Sequence, residues 1–158
     1  KMLNDYLQFA KTQVKENSVE ININEFLEEL INKINNKNIH FKKGEKVLLT
    51  ARKGALQRCF ENFIQNGLSY GKNVYMDFHK TSNRLIILIE DDGPGIPRDE
   101  YRNVFKPFYR LDKSRSLNTS GVGLGLSISE DIISSHGGSV QLSESKYKGL
   151  QVKISLPF

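Results

Sequence analysis

Three groups of residues in this 158-residue chain could do chemistry. Asn62 and Asn66 stand one helical turn apart. Asp91 ends an apolar run and is followed by Asp92-Gly93-Pro94-Gly95-Ile96. Gly121-Val122-Gly123-Leu124-Gly125-Leu126 precedes a second helical pattern. Amide oxygens at i and i+4 can ligate a hard cation such as Mg²⁺, which takes oxygen donors and keeps several waters. The same spacing suits two asparagines that merely face solvent. A carboxylate at a strand end can accept a hydrogen bond from an exocyclic amine such as adenine N6. Glycines beside it let the backbone approach a flat base or a phosphate. Asp-Gly-Pro-Gly is equally strong turn chemistry by itself. The glycine run offers backbone N–H groups to an anion at a helix start. It lacks the Lys-Ser/Thr of a P-loop and follows a loop instead of a strand, so neither the Walker motif nor the dinucleotide fingerprint applies.

Between the glycine clusters lies a basic, weakly periodic segment. Phe105 and Phe108, with Pro107, can anchor a lid to the core or simply pack there. Arg110 and Arg115 lie where a lid could fold onto phosphates, or on a solvated basic loop. Loops of this length are usually functional or disordered. His40, His79 and His136 have no metal-ligand spacing. His79 falls on a wet strand face, and His136 sits at a helix end, where a charged imidazole would complement the dipole. Cys59 is read as a small core residue.

The elements that must position these groups follow from periodicity. From Lys53 to Tyr70, Leu56, Cys59, Phe60, Phe63, Ile64 and Gly67 form one apolar helical face. Asn62, Asn66 and Tyr70 stack in a separate column. Val74, Met76 and Phe78 alternate as a strand with one wet face, and Leu85 to Ile89 reads as a central strand covered on both faces. That places Asp91 at a strand's carboxyl end, where open α/β sheets bind ligands. Upstream, Val19, Ile21 and Ile23 read as a strand. Asn24 reads as the cap of a helix burying Phe26, Leu27, Leu30, Ile31 and Ile34. Ile39–Phe41 and Val47–Leu49 suggest two strands turning at Lys43-Gly44. A short helix is expected near 98–104 and a longer one from Gly123 to Ser135, ended by His136-Gly137-Gly138. Strands follow at Val140–Leu142 and Leu150–Leu156. The sum is an α/β two-layer sandwich of a mixed sheet with one layer of helices.

Composition sets the outer bounds. Apolar residues make up 38% and charged residues 26%, ordinary for a globular domain with its own core. No run approaches the roughly 18 apolar residues of a membrane span. The net charge of +5 comes without a nucleic-acid motif or a massed basic run, which argues against a nucleic-acid partner. Leu3, Leu7, Ala10 and Val14 form a short a/d seam, the expected junction with an upstream helical bundle.

Taken in order, Asn62-x-x-x-Asn66, Asp91-x-Gly93-x-Gly95, Phe105-x-x-Phe108 and Gly121-x-Gly123-x-Gly125 resemble the N, G1, F and G2 boxes of sensor histidine kinases. Their ATP-binding fold (the GHKL or Bergerat fold) is shared with type II topoisomerases, heat-shock chaperones and MutL. The resemblance covers residues 47–158 and leans toward the osmosensor-like branch. It implies a flexible ATP lid, ATP and Mg²⁺ as cofactors, and a division into residues 1–16, the end of a dimerisation helix and linker, and 17–158, the catalytic domain. It further implies that Asn62 and Asn66 hold Mg²⁺ and phosphates, that Tyr70 contacts adenine or ribose, and that Asp91 bonds adenine N6 with room left by Gly93 and Gly95. Ile96 and Phe105 would line the site. Arg110, Gly121, Val122, Gly123, Leu124 and Gly125 would lie by the triphosphate, with Asn62 and Arg110 closest to the reaction.

Two positions depart from the pattern: Val122 and Leu150 stand where threonine is frequent. ATP-hydrolysing relatives carry a Glu where Asn62 stands. An amide cannot take a proton from water, and the neighbouring Glu61 is rotated about 100° away on the helix. The site is therefore expected to hydrolyse ATP slowly, and the resemblance implies that phosphate goes to a histidine on the dimerisation domain of the same protein, a homodimer anchored in the bacterial inner membrane with this domain in the cytoplasm, and from there to a response regulator. The rivals are an anti-sigma-type serine kinase on the same fold and a module using nucleotide only as a conformational ligand. With the phosphoacceptor histidine expected upstream, the chain binds ATP without phosphorylating itself. Incubation with γ-labelled ATP is expected to leave no acid-labile phosphate on the protein.

Overall fold

The computed structural model describes residues 16–107, 109 and 125–158. In chain order the elements are β1 (Val19–Asn22), α1 (Ile23–Ile34), β2 (Ile39–Phe41), β3 (Leu48–Ala51), α2 (Lys53–Tyr70), β4 (Val74–Lys80) and β5 (Arg84–Asp91). Two short 3-10 turns follow (Arg98–Glu100 and Asn103–Phe105), then α3 (Gly125–Ser135), β6 (Ser139–Glu144) and β7 (Leu150–Pro157). The main sheet has the order β2-β4-β5-β7-β6. Only its β2–β4 pair is parallel, and β1 and β3 form a separate antiparallel pair.

The period-2 patterns put Val74, Met76 and Phe78 of β4, Leu85, Ile87 and Ile89 of β5, and Val152, Ile154 and Leu156 of β7 into one core with the helices' apolar faces. On α2, Ala55, Leu56, Cys59, Phe60, Phe63, Ile64 and Gly67 are all buried, and Phe60 meets Phe26 of α1 edge to face at 5.8 Å. Each buried Leu, Ile or Phe among them contributes about 2 kcal/mol. The surface pairs Lys43–Glu28, Lys53–Glu29 and Lys80–Glu45 contribute at most about 1 kcal/mol each. The core therefore fixes the architecture.

Several expectations from the sequence are corrected. Ile23 is the first residue of α1, not part of β1, and is fully buried. The cap of α1 is Asn22, whose Oδ1 accepts from the Glu25 N–H at 3.3 Å. Asn24 instead exchanges two hydrogen bonds with the Gly44 backbone (2.9 and 3.2 Å), so its amide ties down a segment twenty residues away. Residues 39–41 and 47–49 make no hairpin: β2 pairs with β4 and β3 with β1. Gly44 is not a hairpin turn either. A Cβ there would stand 2.8 Å from the Phe78 ring, so glycine lets the chain pass over β4. An isolated hairpin is marginal in water, and these strands gain more by joining existing partners.

Finally, β5 is central, and the helices cover only one of its sides. On the other, Ile86 and Glu90 are buried and Leu88 is half-buried. That far face carries stacked rings instead, Tyr75 on Tyr147 at 3.8 Å and His40 on Tyr75 at 5.0 Å.

Helix α2 has no side-chain cap from Arg52 and no acid in its first turn. Glu16, thirty-eight residues upstream of Gly54, supplies both. Its carboxylate accepts the N–H groups of Gly54 (2.5 Å) and Ala55 (3.0 Å). The predicted boundary at residue 16 is thus tied to the folded body, while the seam at Leu3–Val14 lies outside the described residues. At the same corner the Arg52 N–H donates to Nε2 of His136 at 3.1 Å, and Nδ1 of His136 donates to the Ile132 carbonyl at 2.7 Å. His136 therefore joins the start of α2 to the end of α3 as a neutral ring. This replaces the expectation of a charged ring on the helix dipole.

Burial lowers the pKa of His136, as does the Arg52 charge, against the Ile132 bond and Glu16, which raise it. In the unfolded chain histidine titrates near 6.5. The contribution of His136 is therefore fully present above about pH 6.5 and is lost as pH falls toward its lower folded value. Urea melts at pH 7.5 and 5.5 should show this loss, and His136→Gln should remove that part of the slope.

Candidate functional site

Asp91 lies at the end of β5 and is 7% exposed. Its Oδ1 accepts the N–H groups of Gly93 (2.9 Å) and Leu150 (3.2 Å). Burial pushes the carboxyl upward from its ordinary range, as does neighbouring Asp92, and the two N–H groups oppose them. Among the described residues Oδ2 accepts no hydrogen bond. It lies 3.7 Å from where a Cβ on Gly67 of α2 would be. One carboxylate oxygen is thus fixed by backbone, and the other stays open beside the helix that carries Asn66.

Three glycines permit this arrangement by close approach. A Cβ on Gly67 would stand 2.8 Å from Val74, and one on Gly93 would stand 2.7 Å from the Tyr70 carbonyl oxygen. One on Gly149 would run into the carboxylate and carbonyl of Asp91. Gly93, read from the sequence as room for a base, therefore has a reason inside the chain: it seats the loop on the last turn of α2. Gly95 turns the chain with φ +76°, a conformation that favours glycine. Gly125, at the start of α3, differs. A Cβ there would meet nothing within 4 Å, so the room beside it is not taken by packing of described residues.

Asp92, adjacent to Asp91, has a separate task. It accepts from the Lys72 and Asn73 N–H groups (2.7 and 2.9 Å) and from the Asn73 amide (3.0 Å), closing the turn from α2 to β4. Chiefly the Asn73 bonds lower its pKa.

Asn62, Asn66 and Tyr70 are half-buried along α2. The Asn62 amide donates to Ser129 Oγ of α3 at 3.4 Å. Glu61 turns away and meets Lys33 of α1 at 3.8 Å, as its helical offset requires. Thiol Cys59 is buried, and desolvation raises its pKa strongly, which leaves it an inert core residue. Ile96 packs against the core from the loop after Asp91.

Phe105 ends the second 3-10 turn and lines a cavity of about 750 Å³ with Tyr101, Arg102, Glu130 and residues of β6 and β7. No other described member of the predicted site lines that cavity. Glu100 accepts from the Tyr109 hydroxyl and from the Asn103 amide, the latter at 3.2 Å, tying residue 109 to the 3-10 turns. Arg110, Gly121, Val122, Gly123 and Leu124, together with Phe108 and Arg115, lie outside the described residues. What the structure brings together is Asp91 with the Gly67–Tyr70 turn of α2, and Asn62 with α3.

Glu16, Asp92, Gly149 and Ser129 hold this region and were missed as such from the sequence. Each partner lies 19 to 67 residues away in the chain. Only Gly149, beside an alternating strand, carried a local hint.

Residues 51–158 match the family described as histidine kinase-, DNA gyrase B-, and HSP90-like ATPase. The chain is 36% identical, over 65% of its length, to the sensor histidine kinase GtrS of Pseudomonas aeruginosa. It is 30% identical, over 99% of its length, to the sensor protein kinase WalK of Staphylococcus aureus. It spans 21% and 28% of the lengths of those relatives. Among solved structures, full-length ShkA in complex with AMPPNP superposes with a TM-score of 0.82 at 21% identity, covering 99% of this chain and 35% of that one. The likeness to ShkA speaks for the fold.

The glycine geometry separates packing from open space. Gly149→Ala is expected to cost about 1–3 kcal/mol, because the Asp91 end of β5 must shift to admit a methyl group. Gly125→Ala, in open space and with better helix propensity, is expected to leave stability unchanged or raise it by up to about 1 kcal/mol. Urea unfolding of the two variants measures the contrast.

Proposed function

Because the chain belongs to the histidine kinase-, DNA gyrase B- and HSP90-like ATPase family, we propose that it is the ATP-binding catalytic domain of a sensor histidine kinase. In this reading it presents the γ-phosphate of ATP to a histidine on a dimerisation domain of the same protein, and the phosphoryl group then passes to an aspartate of a response regulator. The whole protein would be a homodimer anchored in the bacterial inner membrane. Among the described residues no helix is long and apolar enough to cross a membrane. Residues 17–158 would form the catalytic body and residues 1–16 the link to the dimerisation helices.

The observation that carries this reading is the open oxygen of Asp91. A buried carboxylate with one oxygen held by two backbone N–H groups is oriented before any ligand arrives. Its second oxygen suits an amine donor such as adenine N6. Tyr70, Gly95 and Ile96 would supply further contacts for the base, and Phe105 would flank the site.

Mg²⁺ fits the amides of α2, since amide oxygens are hard donors and Asn62 turns its nitrogen toward α3. Asn62 and Asn66 would hold the ion, which when bound would neutralise phosphate charge. Gly125, with open space beside it, would admit phosphate oxygens close to the start of α3. Arg110 and residues 121–124 would complete the phosphate side.

Asn62 cannot act as a base toward water, and Glu61 points about 100° away around the helix, toward Lys33. The domain should therefore retain ATP for transfer and hydrolyse it slowly. The transfer itself would rest on positioning and electrostatics.

The test is calorimetry with Mg-ATP. A hydrogen bond to a charged acceptor is worth about 1.5–3 kcal/mol, so Asp91→Asn should weaken binding ten- to a hundredfold. The fold should survive, because an asparagine oxygen can still accept from Gly93 and Leu150. Wild-type affinity should also fall on acidification, starting above the ordinary carboxylate range because burial raises this carboxyl. Equal affinities for wild type and Asp91→Asn would overturn the assignment.

A further inference from the structure

We propose that Ser129 is a positioning residue that fixes which end of the Asn62 amide faces the site. The inference rests on the reading of Asn62 as a metal ligand and goes beyond it by naming the residue that sets its orientation.

The argument is one of hydrogen-bond polarity. Helices α2 and α3 cross at Cys59 and Ser129, both fully buried. Ser129 Oγ lies 3.4 Å from the carbonyl oxygen of Cys59. A carbonyl can only accept, so in this contact the Ser129 hydroxyl is the donor. The same Oγ lies 3.4 Å from the Asn62 amide and meets it as an acceptor. In that arrangement Asn62 turns its nitrogen inward, and Oδ1 is the outward atom. Among the described residues Oδ1 accepts no hydrogen bond.

A metal ligand needs that oxygen, and the flipped amide would offer a cation two N–H groups instead. The flip would also set Oδ1 against the lone pairs of Ser129. The Cys59 thiol, 3.6 Å from the Ser129 carbonyl oxygen, holds the crossing from the other side. Both residues are small, which lets the helices approach closely enough for the relay.

Ser129→Ala keeps the size and removes the relay. The readout is the ratio of ATP affinity with Mg²⁺ to affinity with chelator, by calorimetry, for wild type, Ser129→Ala and Asn62→Ala. Ser129→Ala is expected to reduce the ratio about fivefold (about 1 kcal/mol at 1.4 kcal/mol per tenfold), while affinity in chelator stays within about twofold of wild type. A purely structural role would lower both affinities together. In ligand-free protein, NMR of the Asn62 side-chain amide supplies a second signature. Wild type should show one N–H proton slowed in exchange, and Ser129→Ala should show both fast.

If Asn62→Ala loses the Mg²⁺ ratio and Ser129→Ala keeps it, the positioning role is wrong and the ligand reading stands. If Asn62→Ala keeps the ratio, the ligand reading falls and this inference falls with it. If both Asn62 amide protons exchange fast in the wild type, the relay does not hold the amide, and the proposal is overturned without recourse to any variant.

Discussion

A carboxylate kept ionisable at the buried end of a central strand constrains everything around it. Asp91 loses hydration by being placed there, and an unpaired buried charge is too costly to persist. Two backbone N–H groups, from Gly93 and Leu150, offset part of that cost. Gly149 permits the approach on the Leu150 side, since a Cβ there would run into Asp91 itself, while Gly93 and Gly67 let the loop and β4 close against α2. One strand end and two loops thereby meet at a single carboxyl group, beside a turn of α2. Replacing Asp91 by a hydrophobe would relieve the desolvation cost, so the charge is better explained by what the open oxygen does than by stability.

The second constraint is mechanical. Helix α2 carries the asparagines but lacks a cap of its own, so its first turn depends on Glu16 from the segment leading into the domain. The same corner binds α2 to the end of α3 through Arg52 and His136. Ser129 ties the two helices again near their middle. The two helices are therefore joined at two levels, one of them at the corner that Glu16 also holds. Neutral His136 fits this role, since a protonated ring would lose the acceptor that Arg52 needs.

The local half of this design is legible in the sequence. Periodicity locates α2 residue for residue, as well as β4, β5 and β7, because one face of each is buried and the pattern records it. Asp91 at a strand end follows from the same reading. The non-local half is not legible. Asn22 and Asn24 are two apart and chemically identical, and which one caps α1 depends on where Gly44 sits. The pairing of β2 with β4 depends on an edge that only the folded sheet provides. The two acids at 91 and 92 look alike on paper, yet one is buried with an open oxygen and the other closes a turn. His136 was misjudged because a helix end attracts positive charge in general, whereas here an N–H donor is already pointed at the ring.

The asparagine at position 62 joins these threads. A carboxylate there would be a base able to activate water, and its two equivalent oxygens would need no orienting. An amide gives up basicity and gains a direction, since one end donates and the other accepts. That exchange is useful only if something fixes the direction, and the buried hydroxyl of Ser129, donating to the Cys59 carbonyl, does so. Helix geometry meanwhile carries Glu61, the nearest carboxylate in sequence, out toward Lys33. A site arranged this way withholds a base from water while keeping an amide oxygen available. On the proposed reading that combination lets ATP be held for transfer instead of being spent on water.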